Sequence, residues 1–395
     1  MRILTLTNLF PNPYQPQRGV FNRQQLLELV RTHQVHVISP LAWTDELRSR
    51  RRAGARISAD RQTTCHGIPV DHPRYLFPPK CFRGSYGHCF EASVRPTFER
   101  VLKQFEPELL YAPWAYPDGW AAVRLGHAAG LPVVIKVHGS DVLLSGRYPG
   151  RLRRTLEALQ AADAIISVSE DLRQRMIEVG IDSSRIETIY DGVNQALFCP
   201  GSREAARTLL GIPTTAQVVL FVGNLVSIKG VDILIDAFAQ LACDSPDRIC
   251  YLIGHGPLGG SLQRHIDRLQ LSSQIRLLGE RAHAELPDWY RAADLFVLPS
   301  HSEGVPCVVL EAAACGTPIV ASDVGGIPEL RTWGELSLVA PGDVGALAGA
   351  MRRSLAALRP TTRVAGRVRS LAAAVGQIEA CFSRVLDLSR QEVSP

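Results

Sequence analysis

Apolar residues in this chain fall into short unbroken runs closed by Gly, Pro or Asp, and between them lie longer stretches whose apolar positions recur every three or four residues. The runs predict strands buried on both faces and the stretches predict amphipathic helices, so their alternation predicts parallel sheets with helices on either side. In the first half RILTLTN, VHVISPL, LLYAPW, PVVIKVHG and AIISVSE read as strands, separated by helical patterns such as NRQQLLELVRT, RPTFERVLKQF and LRRTLEALQAA. The pattern restarts with VVLFVGN, a helix over 231–241, and then ICYLIGHG, IRLLGE, LFVLPS, TPIVAS and SLVAPG. Two doubly wound α/β sheets are expected. The turn-rich segment 189–208, IYDGVNQALFCPGSREAART, separates the two series. The expected division is 1–195, 196–371 and a closing helix over 372–395 that packs back on the first domain.

A length of 395 residues supports two cores better than one, and 46% apolar with 21% charged residues is the composition of an ordinary globular protein. The opening MRILTLTNLFPNP is broken by Asn and two prolines, and no stretch of 18 apolar residues occurs, so neither a signal peptide nor a membrane span is expected. The nine cysteines are scattered, with no Cys-x-x-Cys pair or His/Cys cluster at zinc spacing, which points to a reduced cytoplasm and to no metal site. The net charge of +5 is uneven: residues 1–200 hold 25 Lys/Arg against 19 Asp/Glu, and 48–103 alone hold 12 against 4. That segment combines Arg48, Arg50, Arg51, Arg52 and Arg56 with Trp43, Tyr75, Phe77 and Phe82 nearby. It is a candidate for peripheral contact with an anionic membrane, although a solvated arginine-rich loop explains it equally well. No nucleic-acid-binding motif accompanies the charge.

Chemistry concentrates where strands end. In PSHSEGVPCVVLEAAACGTPIVAS a buried strand stops at Pro299 and a helix is expected from about Val305. Open parallel sheets gather ligands at the carboxyl ends of their strands, and helix N-termini favour phosphate. Gly304 leaves room for a ligand, and beyond Val305 and Pro306 the backbone amides near Cys307 and Val308 stand where a diphosphate would be received. Glu303 lies beside that position, and Glu311, inside the helix, has a carboxylate suited to a pair of vicinal ribose hydroxyls. The bland alternative makes Ser302 and Glu303 helix caps and leaves Glu311 on a solvated face. Against it, Glu311 sits in CVVLEAAACG, where a carboxylate needs a specific partner. A second strand end, FVGNLVSIKGVDILIDAF, sets Gly223, Asn224 and Lys229 ahead of a helix whose dipole opposes the lysine unless an anion is present. In the first half, VIKVHGSDV places His138 and Asp141 at a strand end and NLFPNPYQPQRG places Gly19 in the loop after the first strand. A structural histidine and a helix cap are the ordinary readings of His138 and Asp141.

These segments together resemble the retaining glycosyltransferases of family 4, which have the GT-B architecture of two Rossmann-like domains facing each other across a cleft. The resemblance runs from Gly19 through HGSD, SVSEDLRQRM, IYDGVNQALFCP, VGNLVSIKGVDILIDAF, IGHGPL and LPDWYRAADLFVLPS to SEGVPCVVLEAAACGTPIVAS. Its hallmark is the Glu-x7-Glu pair, here Glu303 and Glu311. By resemblance Glu303 contacts the transferred sugar, Glu311 holds the ribose, Lys229 clamps the diphosphate, His138 lies near the donor sugar and Gly19 beneath the diphosphate. Asn224 stands where many relatives carry arginine, which shifts more of the leaving-group charge onto Lys229. Asp191 and Asn194 likewise exchange the family's usual Asn and Asp.

The expected reaction is transfer of a hexose-type sugar from a nucleotide-diphosphate donor to a hydroxyl, with retention and with no metal or other cofactor. A glycan or lipid-linked acceptor of surface-polysaccharide assembly at the inner membrane face is the expected partner. A sugar-nucleotide 2-epimerase on the same architecture and a non-catalytic nucleotide-sugar-binding protein are the alternatives. A nicotinamide dehydrogenase ranks lower, because no Gly-x-Gly-x-x-Gly follows the first strand.

Overall fold

The computed structural model describes residues 1–53, 57–79, 85–143, 149–242, 245–357 and 365–393, without the side chains of 49–53, 143, 392 and 393. Arg56 and Phe82, and the side chains of Arg50, Arg51 and Arg52, lie outside the described residues. The chain divides into two compact units, Met1–Tyr190 with Leu371–Pro395, and Asp191–Ser370.

The sheet of the first unit is built on β1 (Arg2–Leu6), β2 (Gln34–Ile38), β4 (Gln62–Cys65), β5 (Ile68–Asp71), β7 (Leu109–Ala112), β8 (Val133–Val137), β9 (Ala164–Ser167) and β10 (Ile186–Thr188). Its order is β10-β9-β8-β7-β1-β2-β5-β4, and β3 (Leu41–Ala42) pairs separately with β6 (Arg74–Tyr75). All pairs are parallel except β4 with β5. The inner strands β7 and β8 are buried at every residue, as strands covered by helices on both faces must be. Edge strand β4 instead alternates between exposed and half-buried positions. Beneath this sheet the last helix, Leu371–Val393, sets Leu371, Val375, Ile378, Phe382 and Val385 into a core with Ile3, Leu26, Val35 and Tyr111. The Phe382 and Tyr111 rings meet edge to face at 5.1 Å.

The second unit repeats the plan with β11 (Gln217–Val222), β12 (Arg248–Ile253), β13 (Ile275–Gly279), β14 (Leu295–Leu298), β15 (Ile319–Ser322) and β16 (Leu336–Val339), in the order β13-β12-β11-β14-β15-β16. Every pair is parallel. Counted from β11, this is the 3-2-1-4-5-6 arrangement, so the strand order reverses between β11 and β14, the point at which sheets of this kind take ligands beyond their carboxyl ends. The helix Val231–Ala242 that follows β11 buries Val231, Leu234, Ile235, Phe238 and Leu241, the spacing of one helical face. Two Rossmann-like parallel sheets are thus the observed fold.

In the first unit the ends of β1 and β7 are joined by a buried carboxylate. Asn8 donates its backbone amide and its side-chain Nδ2 to Asp118, at 2.8 and 3.0 Å. Burial pushes the Asp118 carboxyl up to about 7, outweighing these donors. A folded-state value above the unfolded one means that this group stabilises the fold fully below about pH 4, and that the contribution is lost as pH rises through about 7. Asp118→Asn, which does not titrate, is therefore predicted to flatten the decline in stability between pH 5 and pH 7 by up to about 1.4 kcal/mol per pH unit. Urea unfolding at several pH values checks this, and identical slopes in both proteins contradict it.

Candidate functional site

The carboxyl ends of β11 and β14 carry most of the residues singled out from the sequence. Gly223 and Asn224 follow β11 directly, and the Gly223 amide donates to the Ile253 carbonyl at 2.9 Å, tying that exit to the neighbouring strand. Asn224 is exposed. A 3-10 turn, Ser227–Lys229, then leads to Gly230, whose φ of 60° opens the helix Val231–Ala242. A Cβ on Gly230 would stand 2.2 Å from the Pro299 carbonyl oxygen, so only glycine lets this turn reach the end of β14. The His301 amide completes the approach by donating to the Ile228 carbonyl at 2.8 Å.

This contact brings Lys229 and Glu303 together across 74 residues of sequence. The Lys229 ammonium donates to Glu303 Oε1 at 2.6 Å, and the Ser300 hydroxyl donates to the same oxygen at 2.6 Å. Glu303 is thus engaged with Lys229 and Ser300, which removes the reading of it as a helix cap. Gly325 supports the same loop: at φ 55° it lies where a Cβ would be 1.9 Å from the Glu303 carbonyl oxygen, and Gly326 donates to the Gly304 carbonyl at 2.9 Å.

The helix after β14 runs from Cys307 to Ala314 and therefore starts two residues later than the position near Val305 expected from sequence. Pro306 is the reason: a residue before proline avoids the helical region, and Pro306 itself is extended at φ −75°, ψ 118°. The N-cap residue, Pro306, makes no side-chain cap bond. The amides of Cys307 and Val308 belong to its first turn, whose donors have no acceptor within a helix. Val305 and Pro306 are buried behind them, and Gly304 is buried beside Glu303.

Glu311 is 6% exposed and does not lie on a solvated face. His283 Nε2 donates to its Oε1 at 2.7 Å, and the Tyr290 hydroxyl donates to its Oε2 at 2.9 Å. Phe198 packs against both partners, with ring centroids 4.9 Å from His283 and 6.0 Å from Tyr290. Burial, and then the Glu311 charge, raise the Tyr290 phenol well above its ordinary range and keep it a donor. The sequence signalled that Glu311 needed a partner without naming one. Tyr290 was legible only as an inward position of the helix Leu286–Ala292, and nothing in sequence marked His283.

His138 and Gly19 belong to the first unit. Gly19, at φ 61°, precedes the helix Val20–Leu29, where a Cβ would stand 2.1 Å from the Leu9 carbonyl oxygen. His138 follows β8, lies 4.8 Å from the Phe21 ring of that helix and stacks on Trp114 at 6.2 Å. Asp141 does not act as the expected helix cap. Its carboxylate accepts from the His138 and Gly139 amides at 3.0 Å each and from Ala115 at 3.2 Å, so it fixes the strand end that presents His138.

Residues 19–197 match Glycosyltransferase Family 4, and residues 216–357 match Glycosyl transferases group 1. TuaC of Bacillus subtilis, a glycosyltransferase assigned to teichuronic acid biosynthesis, is 31% identical over 367 residues, covering 89% of both chains. The chain belongs to glycosyltransferase family 4. Sucrose-phosphate synthase from Thermosynechococcus elongatus shares the fold at a TM-score of 0.72 and 20% identity, over 99% of this chain and 97% of that one. Anabaena HepE in complex with UDP-glucose superposes at 0.70 and 22% identity, over 100% of this chain and 99% of that one. The glycosyltransferase accordingly has the GT-B type of fold, built from two Rossmann-like units.

Removing the Tyr290 hydroxyl leaves a buried carboxylate oxygen without its donor. Tyr290→Phe is predicted to cost about 1–3 kcal/mol of stability in chemical unfolding, and a loss below about 0.5 kcal/mol would contradict the role of this bond.

Proposed function

We propose that this glycosyltransferase moves a hexose-type sugar from a nucleoside-diphosphate donor to an acceptor hydroxyl with retention of configuration. The observation that carries the reading is the Lys229–Glu303 pair beside the uncapped start of the helix Cys307–Ala314, where the strand order of the second unit reverses. The diphosphate lies on the first-turn amides of Cys307 and Val308, which offer hydrogen bonds and the positive end of the helix dipole. Gly304, Val305 and Pro306 line the approach, with Gly223 and Asn224 opposite them at the end of β11. Glu311, already oriented by His283 and Tyr290, takes the ribose diol with its remaining lone pairs. UDP-glucose bound to HepE supports a nucleotide-sugar donor.

As the donor C1–O bond breaks, its electron pair stays on the leaving diphosphate oxygen. Lys229 and the helix amides stabilise that charge most at the transition state. The acceptor hydroxyl forms the new bond to C1 and gives its proton to a phosphate oxygen. The ammonium group and the amides meet the charge requirement, so the mechanism calls for no metal or cofactor. Without donor, Glu303 neutralises Lys229. With donor, the lysine turns to the diphosphate and Glu303 faces the sugar.

The first unit takes the acceptor. A glycan or lipid-linked acceptor of surface-polysaccharide assembly fits the likeness to TuaC. Among the described residues no helix is long and apolar enough to cross a membrane. Peripheral contact at the inner face instead draws on the segment around the helix Trp43–Ala53, where Leu47 and Leu76 are 50% and 57% exposed and Arg48 extends into solvent. The Arg74–Glu46 bond, 2.9 Å, ties the two stretches together.

Glu303→Ala and Lys229→Ala are each predicted to reduce transfer by at least about a hundredfold while leaving a folded chain. UDP, GDP or ADP should raise the melting temperature of the wild-type chain in a concentration-dependent way, and Lys229→Ala should blunt that rise. Near-normal turnover in either variant, or no shift with any of the three nucleotides, refutes the reading.

A further inference from the structure

β8, β9 and β10 run parallel, so the side of the sheet end that carries His138 has an opposite one, where Val133, Ala164 and Ile186 begin these strands. There the first unit holds a cleft of about 820 Å³. That is the size of a site for a small organic molecule, roughly 300–1,000 Å³. One wall is a face of the last helix, on which Cys381, Val385 and Leu388 recur at steps of four and three residues. Cys381 and Val385 are buried, whereas Leu388 is 62% exposed, more than any other large apolar side chain described in this unit. Leu131 and Ile186 extend the apolar lining. Burial, and then the Glu187 charge, push the Cys381 thiol up to about 12, so this wall carries no charge at neutral pH.

The charged groups at the rim are paired, with one exception. His127 Nε2 contacts Asp163 Oδ2 at 2.9 Å, an oxygen that also accepts from the Val133 amide at 2.7 Å, and Arg384 donates to Glu187. Arg185, which also lines the cleft, has no carboxylate partner among the described residues. Its Nη1 donates to the carbonyls of Gln160 and Ala162, at 3.0 and 3.3 Å, where the helix Pro149–Ala161 ends. Those carbonyls hold the guanidinium in place without cancelling its charge, and its other nitrogens meet no acceptor among the described residues. Asp182, three residues earlier, is engaged as the cap of the turn Ser183–Arg185, accepting from the Ser184 amide at 2.9 Å. The cleft thus joins an apolar wall, open at Leu388, to a single fixed cation with donors to spare.

We infer that this cleft binds an amphiphilic anion, a hydrocarbon chain that ends in one carboxylate or phosphate. The chain covers Val385 and Leu388, and the oxyanion meets Arg185, whose planar fork presents two donors to two oxygens at once. The site lies at the opposite end of β8 from His138 and shares no residue with the donor machinery of the second unit.

The test is calorimetric titration of octanoate, octyl phosphate and octanol into the full chain. At least one of the two anions should bind about tenfold or more tightly than the neutral alcohol, with the gap narrowing as salt is added, and the tighter anion names the head group. Arg185→Gln should remove about tenfold of the anion's affinity and leave octanol unchanged, and Arg185→Lys should restore part of the loss. Leu388→Asn, at an exposed position where the fold does not depend on the side chain, should weaken the tighter anion about threefold or more. Equal binding of octanol and both anions, binding of none of the three, or an anion affinity untouched by Arg185→Gln or by Leu388→Asn overturns the site. So does a concentration-dependent dimer in sedimentation that Leu388→Asn abolishes, which would give the cleft to a second copy of this chain.

Discussion

One close approach organises the second unit: the turn at Gly230 pressed against the carbonyl of Pro299. It joins the exits of β11 and β14, the neighbours between which the strand order reverses, and it delivers an ammonium group to within 2.6 Å of a carboxylate that sequence places far away. Any side chain at position 230 would separate the two loops. Lys229 could then neither be neutralised by Glu303 nor reach the amides ahead of Val309 with the same geometry.

That pair also explains how a partly buried lysine is held in readiness. The Lys229 side chain is 21% exposed and that of Glu303 9%, so neither charge is fully hydrated and each relies on the other. Ser300 adds a second donor to the shared oxygen and keeps the carboxylate fixed if the lysine turns away. Glu311 follows a different logic: both of its oxygens are held by side chains of one element pair, so its orientation does not depend on a ligand. Glu303 thus has one oxygen shared by a lysine and a serine, whereas Glu311 has both oxygens held; under the proposed function the first meets the reacting sugar and the second an inert ribose.

Much of the fold was legible because parallel strands buried on both faces leave continuous apolar runs. All six strands of the second unit and five of the first coincide with such runs. The hairpin of β4 and β5 was missed because edge strand β4 has no buried residue and β5, though mostly buried, is only four residues long, although the His66–Gly67 turn, with both residues at positive φ, was a usable signal. β10 is too short, at three residues, to stand out. At the site, residue types and strand ends were readable, but pairings were not. Nothing local joins Lys229 to Glu303 or His283 to Glu311, since each contact is made by the sheet rather than by spacing. The count of basic residues in 48–103 likewise overstated exposed charge. Arg61 and Arg74 grip Glu46, and although burial pushes that carboxyl up, the two arginines bring it down to about 2, while Arg100 pairs with Asp71.

The central claim is that the first turn of the helix Cys307–Ala314 and the Lys229 ammonium group together hold a diphosphate. A crystal structure of the full chain with a bound nucleoside diphosphate tests it most directly. The account predicts phosphate oxygens at about 3 Å from the Val308 amide and from Lys229 Nζ, with the lysine drawn off Glu303. Phosphates bound elsewhere, with the Lys229–Glu303 bond unchanged, would contradict it.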